Sequence, residues 1–270
     1  MRDPAASPWT PAPALAALLM LAGTTMLFFI FRKVKTDTAP RAISETVGTS
    51  VEGRPIICYT FGKGPPTLFI KASIHGTEGA GTPLTQRLIA WLEAHPDIWK
   101  NSRIMVMPVS NPDGLHAGKR FNANGVDLNR NFPAGNREDK ARFGKTSLSE
   151  PESRALHDFI LREKPDVIVA IHQPLNCVDY DGPAPAAALA ARLSGTTGLP
   201  VDKLGARPGS LGAWFGETLQ RPILTLELPR TLTDFPDKLW ADYGPGLVDL
   251  VMHPELWKAT AEPPPKLPQG

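Results

Sequence analysis

The 270-residue chain is short of several things. It has two cysteines, Cys58 and Cys177, and no CxxC spacing, which excludes a zinc ribbon and a thioredoxin-like redox pair. The pair reads as two small buried apolar residues, with a single bridge in an oxidising compartment as the alternative. Charge of either sign is not in excess: 29 Lys+Arg against 27 Asp+Glu leave +2. No basic stripe interleaved with aromatics occurs either, which argues against nucleic acid as a partner. No internal repeat is present. Hydrophobic and charged fractions of 42% and 21% exclude wholesale disorder. The length suffices for one sizeable α/β domain, or at most two small ones.

The N-terminus differs in kind. Residues 14–31 form an uncharged run of 18 residues rich in Leu, Ala, Met and Phe, which meets the lower limit for a bilayer-spanning helix. The run is long for the h-region of a cleaved signal peptide, and no small-x-small site closes it. Arg32, Lys33 and Lys35 follow it, against Arg2 and Asp3 before, so the positive-inside rule places the rest of the chain toward the cytoplasm. An uncleaved anchor displaying the domain in the periplasm is the competing arrangement. The expected organisation is a membrane anchor over 1–35, a polar linker over 36–50, a catalytic domain over 51–257 and a proline-rich tail over 258–270.

Between the ends, strand-like and helix-like segments alternate. Strands are expected at 56–60, 67–73, 103–109, 167–171 and 222–228; 167–171 is a continuous apolar run, as expected of a strand covered on both faces, and 222–228 reads as a second buried strand. Helices are expected around Leu84, Leu88, Trp91 and Leu92, whose spacing is helical with Pro83 in the first turn, and at 151–162, 184–193, 211–219 and 238–251. This alternation predicts an α/β fold: one domain with a mixed, largely parallel twisted sheet and helices on both faces.

In open α/β sheets functional groups gather at the carboxyl ends of strands. Three predicted strand ends carry unusual residues: one runs into His75-Gly-Thr-Glu78, one ends on His172 and one on Glu227. Two imidazoles and a carboxylate suit Zn²⁺, and a His₂Glu set leaves a position open for water, as in catalytic sites. Glu227, on a neighbouring strand, is placed to take the proton of that water. Each signal alone is weak, since a lone His after a strand is more often a capping or surface residue. The combination favours a metal site.

A second constellation lies between these ends. Asn111-Pro-Asp-Gly114 is a turn sequence, followed by Arg120 and by Asp127-Leu-Asn129-Arg130-Asn-Phe-Pro133. Two arginines and an asparagine near a metal suit recognition of a carboxylate, which guanidinium binds in bidentate fashion. Without the metal motif, surface ion pairs would be the better account.

His75-x-x-Glu78, the Asn-Pro-Asp-Gly turn, Asp127-x-Asn129-Arg130, His172 and Glu227 occur in the order of the zinc carboxypeptidase family that includes carboxypeptidase A. The chain resembles that family over about residues 50–255. Within it, the stretches Arg120–Pro133, His172–Tyr180, Pro208–Gly212 and Thr225–Pro229 look most like the bacterial murein tripeptide amidases. The resemblance implies one Zn²⁺ per chain held by His75, Glu78 and His172, with Asp127 orienting His75. It implies that Arg120 stabilises the oxyanion and that Asn129 and Arg130 clamp the substrate carboxylate. Glu227 would act as general base and then general acid. The expected activity is hydrolysis of an amide next to a carboxylate-bearing residue, namely the γ-D-glutamyl–meso-diaminopimelate bond of murein peptides. The alternatives are a general C-terminal peptide carboxypeptidase and an N-acyl amino acid deacylase of the aspartoacylase or succinylglutamate desuccinylase type.

One departure matters. Where carboxypeptidase A-like enzymes place a mobile tyrosine, this chain has Lys203–Ser210 with no tyrosine. Arg207 could meet a carboxylate there, though an exposed loop arginine is the plainer account. Asp179 and Asp181, soon after His172, are placed to read an ammonium such as that of diaminopimelate. His95, His116, His157 and His253 have no motif context and are expected at the surface.

Overall fold

The computed structural model describes residues 41–230 and 234–258. The expected membrane helix and most of the proline-rich tail lie outside these residues. Among the described ones, no helix is long and apolar enough to cross a membrane.

Strands β3 (Thr67–Ala72) and β5 (Val167–His172) are buried along their whole length, as the apolar run of β5 requires of a strand covered on both sides; β3 buries Lys71 among its apolar residues. They pair in parallel, Ile70 beside Val169, and β5 pairs in parallel with β7 (Ile223–Glu227), which sets His172 directly beside Glu227. On the other side β3 is parallel to β4 (Arg103–Met107). Antiparallel strands close both margins: β2 (Pro55–Gly62) and β1 (Ile43–Thr49) beyond β4, and β6 (Cys177–Asp181) beyond β7. The order is β1-β2-β4-β3-β5-β7-β6. The sheet is therefore mixed with a parallel centre, less parallel than expected, because antiparallel strands are added at both edges.

Alternate side chains along these strands feed two cores. On one face Leu68, Ile70, Val169, Leu224 and Leu226 pack with Leu84 and Leu88 of α1 (Gly81–Ala94). The same core takes Leu189 and Leu193 of α4 (Pro185–Thr197), and Leu239, Leu247 and Leu250 of α5 (Pro236–Met252). On the other face Phe69, Met105, Ile168 and Ala170 meet Leu156, Phe159 and Ile160 of α3 (Pro151–Glu163), and Trp214 and Phe215 of a π-helical segment, Gly212–Thr218. The short helix α2 (Pro112–Ala117) lies where a turn was expected; Asn111 caps it by accepting the Gly114 N–H at 2.9 Å.

Residues 43–49, expected within the linker, form β1. This edge strand carries Ser, Glu, Thr and Gly among its apolar residues because most of it faces solvent. Cys58 and Cys177 are both free and buried. They sit on β2 and β6, separated by four strands of the sheet, so no bridge joins them.

Candidate metal centre

The segment after β3 is tied down before it reaches its polar residues. Gly76 donates its N–H to the Arg120 carbonyl at 3.1 Å. A side chain at Gly76 would collide with the backbone of Gly114 at 2.0 Å, so only glycine lets the loop lie against the cap of α2. His75 and Glu78 are thereby turned to one side, where His172 arrives from the end of β5. One nitrogen or oxygen from each of the three lies within 4.8 Å of the others, the single such cluster among the described residues. All three are buried, at 3%, 6% and 6% exposure.

The contacts within the cluster suit a cation. His75 Nε2 sits 3.0 Å from Asp127 Oδ1, which fixes that nitrogen as the protonated one when the ring is neutral. Its Nδ1 then carries the lone pair. That atom lies 2.8 Å from Glu78 Oε1 yet is buried without a hydrogen bond. A lone pair facing a carboxylate at that distance is repulsive unless a positive charge is shared between them. His172 Nδ1 is 2.8 Å from the other oxygen, Glu78 Oε2. Burial lowers the His172 pKa to about 4, with Lys71 and His75 acting in the same direction, so the ring is neutral and free to ligate at pH 7. Burial alone would raise Glu78, but His172 and His75 hold its carboxyl far below the usual carboxylate range. Burial lowers the His75 pKa, but Asp127 and Glu78 outweigh it and raise that pKa overall, so a cation at its Nδ1 takes the place of a proton. Two imidazole nitrogens and one firmly ionised carboxylate form a donor set of the catalytic-zinc kind.

Glu227 stands next to His172 on β7 but outside the triad. Its Oε2 accepts the Leu175 N–H at 3.3 Å. Burial, then the negative charges of Glu78 and Asp179, raise its pKa to about 7. A carboxyl poised near neutrality suits proton transfer in both directions.

The second constellation closes the other side. Arg120 donates to Glu78 Oε1 at 2.7 Å and lies 3.6 Å from Asp127 Oδ2. Asp127 also accepts the Asn129 N–H at 3.0 Å, capping the 3₁₀ turn Leu128–Arg130. Asn129 Oδ1 accepts the Leu211 N–H at 3.0 Å, which leaves its amide donors for other partners. Burial lowers the Arg130 pKa, and the positive charges of Arg120 and Arg207 add to the effect. These cations crowd one another and would be relieved by an anion.

All of these groups except Asp127 line one cleft of about 300 Å³. Arg207 reaches it too, with Leu204, Gly205 and Ser210 of the loop that lacks the tyrosine, and so do Asp179 and Asp181. Sequence reasoning missed Gln173, Pro174, Leu175 and Thr225 as lining residues. Thr225 was recoverable, because it lies two residues before Glu227 and so shares its face of β7. Of the unassigned histidines, His95 and His116 are exposed while His157 and His253 are half-buried; none lines the cleft.

The family model for zinc carboxypeptidases matches residues 31–180. This chain belongs to the zinc carboxypeptidase family. Members use one zinc ion, and the donor set above is of the kind that holds it. Among curated relatives of this family member, murein peptide amidase A of Escherichia coli (strain K12) is 31% identical over 225 residues, 74% of this chain and 89% of that protein. Murein peptide amidase A of Vibrio campbellii (strain ATCC BAA-1116) is 33% identical over 220 residues, 74% and 85% of the two chains. A solved structure, the murein-tripeptide amidase from Escherichia coli O157, matches with a TM-score of 0.65 and 29% identity, covering 77% of this chain and 91% of that one. The protein is a metallopeptidase-type hydrolase.

Proposed function

We propose that this zinc carboxypeptidase hydrolyses the γ-D-glutamyl–meso-diaminopimelate amide of murein peptides, with zinc held by His75, Glu78 and His172. The observation that carries the reading is one cleft holding that donor triad, a carboxyl poised near neutrality at Glu227, and a cationic wall at Arg120, Arg130 and Arg207. Two murein peptide amidases that share about a third of their residues with this chain support the choice of substrate.

When bound, the zinc acidifies a water and polarises the scissile carbonyl. Glu227 takes the proton of the attacking water, and the same carboxyl delivers a proton to the leaving amine as the C–N bond breaks. The net change is amide plus water to carboxylate plus ammonium. Arg120, half-exposed beside Glu78, stabilises negative charge on the carbonyl oxygen as the tetrahedral species forms. Asn129 and Arg130 hold the carboxylate of the leaving residue. Asp127 orients His75 so that its Nδ1 lone pair faces the metal position.

The apolar run at 14–31 supports a membrane tether as part of this reading, with the domain on the cytoplasmic side. Carbonate and detergent fractionation of cells expressing the full chain tests the tether.

Incubating the zinc-loaded protein with murein tripeptide should release free diaminopimelate, detectable by mass spectrometry. A panel of C-terminal peptides and N-acyl amino acids run alongside should be turned over far more slowly. No release from the tripeptide, with one zinc bound, would sink the proposal.

A further inference from the structure

One wall of the cleft takes no part in the chemistry above. Side-chain alternation puts Asp179 and Asp181 of β6 on the same face as Thr225 and Glu227 of β7, with Asp179 opposite Thr225 and Asp181 opposite Ile223. Both acids are buried, at 6% and 4% exposure, and both line the cleft. Asp179 Oδ1 accepts the Leu204 N–H at 2.9 Å. The Asp181 side chain has no hydrogen bond or salt bridge among the described residues, and its Oδ1 is buried with no partner.

A buried carboxyl without a partner is costly, and the fold makes room for this one. A side chain at Gly212 would fall 2.2 Å from Asp181 Oδ2, and one at Gly216 would fall 2.6 Å from Asp181 Cβ. Two glycines of the π-helical segment thus leave the space that the aspartate fills. Lys203 acts on it only at a distance: it makes no ion pair with Asp181, and its Nζ lies over the Tyr180 ring, 4.9 Å from the centroid. Tyr180 projects from the opposite face of β6. Glu217, the other charged group nearby, accepts the Gly182 N–H and is itself negative.

We propose that Asp181, assisted by Asp179, receives the side-chain ammonium of the residue released from the substrate. This rests on the hydrolase reading above and narrows it to leaving residues with a primary ammonium at the end of the side chain. The reach is suitable. Two residues of strand span about 6.6 Å, so the row holding Asp179 lies about that far from the row holding Glu227, and Asp181 one such step further. A side chain of lysine or diaminopimelate length covers about one such step, so from a leaving residue seated beside Thr225, one row in from Glu227, it passes Asp179 and ends at Asp181. With Arg130 and Arg207 elsewhere in the same cleft, it offers both an anionic and a cationic wall, the complement of an amino-acid zwitterion.

The test uses the zinc-loaded full chain and two peptides differing only in the leaving residue: meso-diaminopimelate, and 2-aminopimelate, which lacks the side-chain ammonium. A buried charge-assisted contact predicts a kcat/KM ratio of about 10 to 100 in favour of diaminopimelate. That ratio should collapse toward one in Asp181→Asn and fall part-way in Asp179→Asn. A wild-type ratio near one, or a ratio that survives Asp181→Asn, overturns the proposal. Should Asp181→Asn fail to fold, the wild-type ratio and Asp179→Asn still decide it. Should neither peptide be cleaved, the hydrolase reading fails by itself. Calorimetric titration with free diaminopimelate and free 2-aminopimelate then decides the ammonium site, about tenfold tighter binding of the former supporting it and equal affinity overturning it.

Discussion

Glu78, beyond the end of β3, and Glu227, at the end of β7, are carboxyls of one cleft and are buried alike, at 6% and 8% exposure. Their ionisation is opposite. Glu78 has an imidazole nitrogen 2.8 Å from each of its oxygens, with Arg120 on one of them, and stays ionised. Glu227 has a single backbone N–H and two negative neighbours, Glu78 and Asp179, and its pKa rises to about 7. Burial sets the stakes for both, and the partners decide the outcome. The β3 exit suits a cation. The β7 exit suits exchange of a proton.

The sharpest way to break this contrast is at the β3 exit. Glu78→Gln should drop zinc content well below one per chain by elemental analysis. Turnover should fall by about 10³-fold or more, since both the metal and the general-base partnership depend on it. Retention of full zinc occupancy would show that the triad is not the metal site. A milder probe is Asp127→Asn, which leaves the ligands in place but removes the carboxylate holding His75 Nε2 at 3.0 Å. Zinc affinity or activity should fall about 10- to 100-fold, read by competition with a chelating dye.

The smallest expected effect concerns stability at the β7 exit. The folded state binds a proton on Glu227 up to about pH 7, whereas an unfolded glutamate releases it near 4.3. Between those values the native state holds more protons, so metal-free wild type should lose stability as pH rises from about 4.5 to 7 and level off above. The loss should be of order 1–3 kcal/mol relative to Glu227→Gln, measured by urea unfolding at several pH values. A flat difference across that window would remove the claim that burial dominates at Glu227.

Much of the site was legible because it coincides with strand ends. The apolar run before His172 and the mostly apolar stretch before Glu227 announce buried strands, and their register puts the two residues side by side. What stayed hidden was structure whose sequence serves something other than its element. β6 reads Cys-Val-Asp-Tyr-Asp, and two acids in a buried strand contradict strand patterning unless the cleft uses them. β1 was masked by its polar edge positions, and α2 by an Asn-Pro-Asp-Gly sequence that serves equally as a turn or as a capped helical start. The segment 211–219 was expected as helix. Its π character at Gly212–Thr218 accompanies the close approach of Gly212 and Gly216 to Asp181, a long-range contact that no local pattern encodes.

The division of labour between the two exits is tested most directly by measuring zinc content and turnover of Glu227→Gln beside wild type. The account predicts one zinc per chain in both proteins. It also predicts a kcat on murein tripeptide lower by about 10²- to 10⁴-fold in the variant, the range for loss of a general acid–base group. A variant that loses its zinc, or one that keeps its turnover, would contradict it.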